Sequence, residues 1–188
     1  MFCQPGHFYF RDALAYSPHN YLEIGIFNGD SIGLMGEHYP GKIIFAIDPF
    51  LEDGYTSHTS AVTRGEYMPT QKENTLANIK GKDNICLFET TSKDFAEMLT
   101  DQMIVDMDVA WVLIDGSHYY EDVVIDYELA MRLIGDKPGG IVFDDAQLPE
   151  VNKAHLEFLE KYGNQVSDTL DISGAGYTGH IIAHRINK

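Results

Sequence analysis

Short apolar runs recur along the chain at residues 21–24, 43–47, 85–88, 110–114 and 140–143. Each is too short and too uniformly apolar for a surface helix, so each is expected to be a buried parallel strand. Helical spacing fills the intervals. Over residues 122–134, Val123, Tyr127, Ala130 and Ile134 fall on one face, which Val124 and Met131 widen. Thr70 and Glu73 stand as a capping box, TQKE, that predicts a helix from about Gln71. Ser92 opens another as its expected N-cap, with Phe95, Met98 and Leu99 on one side. Val151, Ala154, Phe158 and Tyr162 mark one more, and residues 166–172 and 180–186 flank the turn-rich SGAGYTG as a terminal hairpin. Strands alternating with helices make this an α/β chain with a mostly parallel sheet. Residues 50–69 carry no regular pattern and leave the ligand-binding end of the second strand, which suits a lid or, equally, a solvated surface insertion.

The first apolar run leads into a turn, YLEIGIFNGDSI, and the second ends at Asp48. Gly25, Asn28 and Gly29 are residue types that let a backbone turn tightly and come close to a ligand. Asp48 lies at about the twenty-residue spacing at which an acid meets the ribose hydroxyls of a nucleoside in doubly wound folds. A dinucleotide site needs G-x-G-x-x-G, whereas this turn reads E-x-G-x-x-x-G. Glu23 beside the turn would repel a pyrophosphate and suits a ligand with an ammonium and a sulfonium group. On these residues the chain resembles the class I S-adenosylmethionine-dependent methyltransferases. The resemblance implies a Rossmann-like three-layer sandwich whose seven-stranded sheet has an antiparallel last strand. It also implies S-adenosylmethionine bound through Glu23, Gly25, Asn28, Gly29 and Asp48.

WVLIDGSHYYED puts Asp115 just past the fourth strand, and GGIVFDDA puts Asp144 and Asp145 just past the fifth. In an open α/β sheet those ends border one crevice. Three carboxylates crowded there repel one another unless a cation or protons neutralise them, and an all-oxygen set favours Mg2+, or Mn2+ or Ca2+, over zinc. IDGSHYYEDV followed by GGIVFDD resembles the metal-dependent macrocin O-methyltransferase and cephalosporin hydroxylase-like group. By that resemblance Asp115, Asp144 and Asp145 hold the metal, and His118, three residues after the first metal acid, is the base, where catechol-type relatives carry a lysine. An imidazole takes a proton near neutral pH, so the role is chemically sound. His118 could instead only hydrogen-bond the cofactor or Asp115, in which case the base is to be sought at Asp115 or in the residue 50–69 lid. Relatives use the turn after the third strand near the adenine, which adds Ser92, and Asp115 also borders the cofactor.

The 188 residues are 44% hydrophobic and no Pro/Gly/Ser-rich linker divides them, so a single methyltransferase domain over residues 1–188 is expected. A net charge of −16 opposes binding to nucleic acid or to anionic membranes. No apolar run approaches the roughly twenty residues of a membrane span and the N-terminus lacks a signal-peptide pattern, so a cytoplasmic location is expected. Cys3 and Cys86 are too few for a disulfide framework, and Cys86 and Trp111, inside apolar runs, are expected in the core. Of the other histidines only His58, in the expected lid, is a candidate substrate contact. Only about twenty residues precede the first strand, against a long N-terminal cap or a partner-built pocket in many small-molecule members. The acceptor pocket is therefore expected to be open, for a small-molecule or sugar hydroxyl, with a catechol and a homodimer as options. Two further classes stay open: a Rossmann-like oxidoreductase or sugar-nucleotide enzyme, disfavoured by the glycine spacing and the lack of TyrxxxLys after the fourth strand, and a non-catalytic cofactor-binding module.

Overall fold

The computed structural model describes residues 11–50, 70–173 and 180–187. The strands β1 (Asn20–Ile24), β2 (Ile44–Ile47), β3 (Ile85–Phe88), β4 (Val109–Ile114), β5 (Gly139–Phe143), β6 (Val166–Ser173) and β7 (His180–Ile186) form one seven-stranded sheet in the order β3-β2-β1-β4-β5-β7-β6. β7 runs antiparallel to both β5 and β6, and the other pairs are parallel. This is the Rossmann-like sandwich expected from the sequence. The strand order reverses between β1 and β4, and ligands of open α/β sheets bind outside the carboxyl ends of the strands at such a switch point.

Side-chain alternation divides the core between two layers. Leu22, Ile24, Phe45, Ile47, Val112, Ile114, Ile141 and Phe143 pack with α4 (Ser92–Met98), α5 (Asp101–Met107), α6 (Tyr120–Ile134) and α7 (Pro149–Tyr162). Tyr21, Ile44, Ala46, Trp111, Leu113, Val142, Ile181 and Ala183 pack on the other side with α1 (Arg11–Tyr16), α2 (Asp30–His38) and α3 (Gln71–Ile79). Trp111 is thus core, as expected. α6 buries Val123, Tyr127, Ala130, Met131 and Ile134, which is the stripe read from its periodicity.

Local expectations fail where hydrogen bonding or edge position decides. Thr70 is at the N-cap of α3 but its backbone is helical and its side chain makes no cap bond, so the TQKE box does not close. The N-cap of α4 is Thr91, whose hydroxyl accepts from Asp94 N–H at 3.0 Å, leaving Ser92 as the first helical residue. Cys86 is exposed because β3 is the sheet's edge and is only partly covered. α5, capped by the Thr100 hydroxyl on Met103 N–H, had no expected counterpart. Phe50 is described, and the rest of the expected 50–69 lid, His58 included, lies outside the described residues, as do Cys3 and His7. No described helix is long and apolar enough to cross a membrane.

Beneath α7 two buried imidazoles share one hydrogen bond, His155 Nε2 to His184 Nε2 at 2.8 Å, with Thr169 Oγ1 2.9 Å from His184 Nδ1. Only one ring can carry the proton between them, so the two cannot both be charged. Burial pushes each down from the ordinary 6.5 to about 4. The unfolded chain therefore takes up protons below about pH 6.5 that the folded chain refuses until about pH 4. Stability from this pair is complete above that window and falls as pH falls through it. Urea denaturation midpoints should decline more steeply between those pH values for the wild type than for His155→Gln. Parallel pH dependence in the two proteins would refute the assignment.

Candidate active site

The rim of the crevice is built by backbone bonds that continue each parallel ladder one residue past its strand. Gly25 N–H donates to Ile47 O (2.9 Å), Asp48 N–H to Phe88 O (3.1 Å), Asp115 N–H to Ile24 O (2.8 Å) and Asp144 N–H to Ile114 O (3.0 Å). Gly25, Asp48, Asp115 and Asp144 therefore stand side by side at the carboxyl ends of β1, β2, β4 and β5.

Gly25 has φ +80°, and a Cβ built there would sit 2.2 Å from Asp115 O and 2.4 Å from Gly116 Cα. The glycine is required because two backbones meet there. Gly29 has φ +73°, and its Cβ would lie 2.9 Å from Thr75 Cγ2 on α3. α3 also binds this turn through polar side chains: Thr75 Oγ1 donates to Phe27 O (3.0 Å), and Asn78 Nδ2 to Asn28 O (2.8 Å) and Asp30 Oδ1 (2.9 Å). Asn28 Oδ1 accepts from Asn74 Nδ2 at 3.2 Å. Asn28 and Gly29 thus shape the turn against α3, a role their sequence context did not reveal.

Glu23 is buried, and its two oxygens accept from Tyr21 OH (2.9 Å) and from the Ser31 hydroxyl on α2. Its charge sits directly behind the turn. Asp48 is buried too, with Oδ2 accepting from Ile26 N–H (3.0 Å) and Oδ1 from Phe50 N–H (2.9 Å). Burial raises Asp48 above the usual carboxylate range, and the amides of Ile26, Phe50 and Phe27 offset part of that. Oδ2 and Oδ1 are thus each oriented by a backbone amide, and a carboxylate oxygen can accept more than one donor.

On the other side of Gly25, ligand atoms of Asp115, His118 and Asp145 all lie within 4.8 Å of one another, and each residue is partly buried. His118 Nε2 is 3.2 Å from Asp145 Oδ2, while His118 Nδ1 is buried. Asp145 reaches this position from a left-handed backbone, φ +52°, uncommon for a non-glycine residue. Asp144 does not join the group. It is buried, and its Oδ1 accepts from Asp145 N–H at 2.7 Å, bracing the turn that presents its neighbour. The cluster is therefore two carboxylates and an imidazole rather than the three carboxylates expected.

The loop carrying His118 is fixed at both ends. Ser117 Oγ donates to Asp122 Oδ2 (2.6 Å), and Glu150 of α7 accepts the Tyr120 N–H at the start of α6 (3.0 Å). Ser92 hydrogen-bonds Asp126 on α6, a buried acid that burial pushes up to about 7, with the Ser92 bond drawing it down and Asp122 pushing it up. Asp126 escaped the sequence reading, although its place three residues after Val123 and beside Tyr127 put it within the buried stripe of α6. Ser92 therefore ties α4 to α6 beneath the Gly116 loop, where a Cβ on Gly116 would lie 3.5 Å from Asp126 Oδ2.

Residues 22–146 match the family model described as a methyltransferase domain. The chain is 32% identical over 143 residues to the uncharacterized protein R132 of Acanthamoeba polyphaga mimivirus, an alignment covering 71% of this chain and 58% of that protein. It thus spans less than two thirds of that relative's length. Among solved structures it resembles a putative caffeoyl-CoA O-methyltransferase from Staphylococcus aureus (TM-score 0.65, 13% identity, 98% of this chain and 85% of that one). It also resembles CalS11, a calicheamicin methyltransferase (TM-score 0.62, 15% identity, 94% and 75%), whose apo structure is described as a TDP-rhamnose 3'-O-methyltransferase. At these identities the structural likeness concerns the fold.

Gly25→Ala should destabilise the protein by about 2 kcal/mol or more, since left-handed strain adds to a clash with backbone that cannot swing away. Urea denaturation checks this. A loss near zero would mean that the β1 and β4 turns do not approach as described.

Proposed function

The chain belongs to the methyltransferase domain family, and from that premise we propose that it transfers a methyl group from S-adenosylmethionine to a hydroxyl of a small molecule or sugar. The observation that carries this reading is the Asp115, His118 and Asp145 cluster, one backbone contact away from the Gly25 turn and Asp48. Bound S-adenosylmethionine supplies a methyl carbon activated by its sulfonium, so the protein's task is to place an oxygen and remove its proton. Asp48 fits the ribose, because backbone amides orient its two oxygens at the end of β2 and a carboxylate can accept a further donor. Glu23 contributes negative charge behind the turn, Gly25, Asn28 and Gly29 give the turn its shape, and Ser92 anchors the start of α4 beside the nucleoside.

At the acceptor end His118 takes the hydroxyl proton, beside the Asp145 carboxylate that lies 3.2 Å from its Nε2. Asp145 then holds the resulting imidazolium as an ion pair, and Asp115 adds a second negative charge nearby. The donor set also fits a divalent cation. Two carboxylates suit Mg2+, and the imidazole makes Mn2+ at least as good a fit. Such a cation, when bound to Asp115 and Asp145, would make the acceptor hydroxyl more acidic. The 3.2 Å contact between His118 and Asp145 favours a second reading, in which the histidine–carboxylate pair suffices without a metal. The acceptor is drawn from the sugar and phenolic hydroxyls because neighbours in fold are described as acting on TDP-rhamnose and caffeoyl-CoA. The net charge of −16 argues against a nucleic-acid acceptor.

Formation of S-adenosylhomocysteine, with TDP-rhamnose and catechol as probe acceptors, tests the assignment. His118→Ala should lower turnover by about a hundredfold with cofactor affinity kept. Loss of turnover in EDTA and its return with Mn2+ or Mg2+ would select the metal reading, and turnover unaffected by EDTA the metal-free pair. Full activity in His118→Ala would defeat both.

A further inference from the structure

We propose that Gln147 is a positioning residue that aims the Asp145 carboxylate at His118. Its amide spans two elements. Gln147 Nε2 donates to Asp145 Oδ1 at 2.8 Å, and Gln147 Oε1 accepts from His180 N–H, the first residue of β7, at 2.6 Å. The same strand end fixes the loop's backbone, because Ala146 N–H donates to His180 O at 2.7 Å. With Oδ1 held by Gln147, Asp145 presents Oδ2 to His118 Nε2. Asp145 stands on a left-handed backbone, and a donor on one carboxylate oxygen orients the other.

The antiparallel β7 thereby acquires a part in the chemistry. It enters the sheet beside β5 and supplies the N–H that orients Gln147, so the order β5-β7-β6 delivers a backbone donor to the acid's supporting side chain. The significance of the pair for proton removal rests on the methyl-transfer reading. The geometry itself does not, and it can be measured in the absence of any acceptor.

The test is the 1H and 15N resonance of the His118 Nε2–H group in the full chain, recorded in EDTA at a pH where the 15N shifts show both ring nitrogens protonated. Asp145→Asn supplies the reference for a ring without its carboxylate. In the wild type the Nε2–H proton should lie downfield of that reference, as a charge-assisted hydrogen bond requires. Gln147→Leu should move it most of the way to the reference. Gln147→Glu with its carboxyl ionised still accepts the His180 N–H but cannot donate to Asp145, and should move it as well, which separates aiming of the carboxylate from anchoring of the loop. Wild-type resonances in a folded Gln147→Glu protein would overturn the proposal, as would resonances that do not respond to Asp145→Asn. Failure of S-adenosylmethionine to bind, with the resonances behaving as expected, would defeat the methyl-transfer reading and leave the role of Gln147 standing.

Discussion

The β1–α2 turn and the β4–α6 loop meet backbone to backbone at Gly25, and that contact sets the distance between the two halves of the rim. On one side stand Glu23 and Asp48, and on the other Asp115, His118 and Asp145. No side chain fits between Gly25 and Asp115 O, so the separation follows from the main chain and does not depend on the packing of flexible groups. The ladder bonds that run one residue past each strand fix the same rim from below. A ligand spanning the crevice therefore meets both halves at a spacing the sheet dictates.

The rim is strongly acidic, and the fold handles each carboxylate differently. Glu23 is neutralised in part by two hydroxyl donors and Asp48 by backbone amides. Asp126 is so deeply buried that burial pushes it to about 7. Asp144 is spent on the turn that presents Asp145. Asp115 and Asp145 are the pair left beside an imidazole at partial exposure, where a cation or a transferred proton has the most to gain.

The architecture could be read from the sequence because buried parallel strands are uniformly apolar and their acids fall where the pattern breaks. Glu23, Asp48, Asp115, Asp144 and Asp145 were all visible in this way, and the seven-stranded sheet with its antiparallel last strand followed from the alternation of elements together with the resemblance. What could not be read was the direction of each carboxylate. The replacement of Asp144 by His118 in the cluster depends on one hydrogen bond to the next residue's amide, and a DD pair contains no sign of which acid will be used. The bracing of the first turn by Thr75 and Asn78 joins residues nearly fifty positions apart, and no local pattern marks it. β3 looked buried because apolar composition does not distinguish an edge strand from a central one, and only the sheet order exposes Cys86.

The central claim is that this crevice holds S-adenosylmethionine with Asp48 on the ribose. Isothermal titration calorimetry of the wild type and Asp48→Asn measures it directly. The wild type should bind one equivalent, and Asp48→Asn, which keeps the side chain's shape but loses its charge and one acceptor, should bind about thirtyfold more weakly, or about 2 kcal/mol. Circular dichroism would establish that the variant remains folded. No detectable heat of binding to the wild type, or equal affinity in the two proteins, would contradict the account.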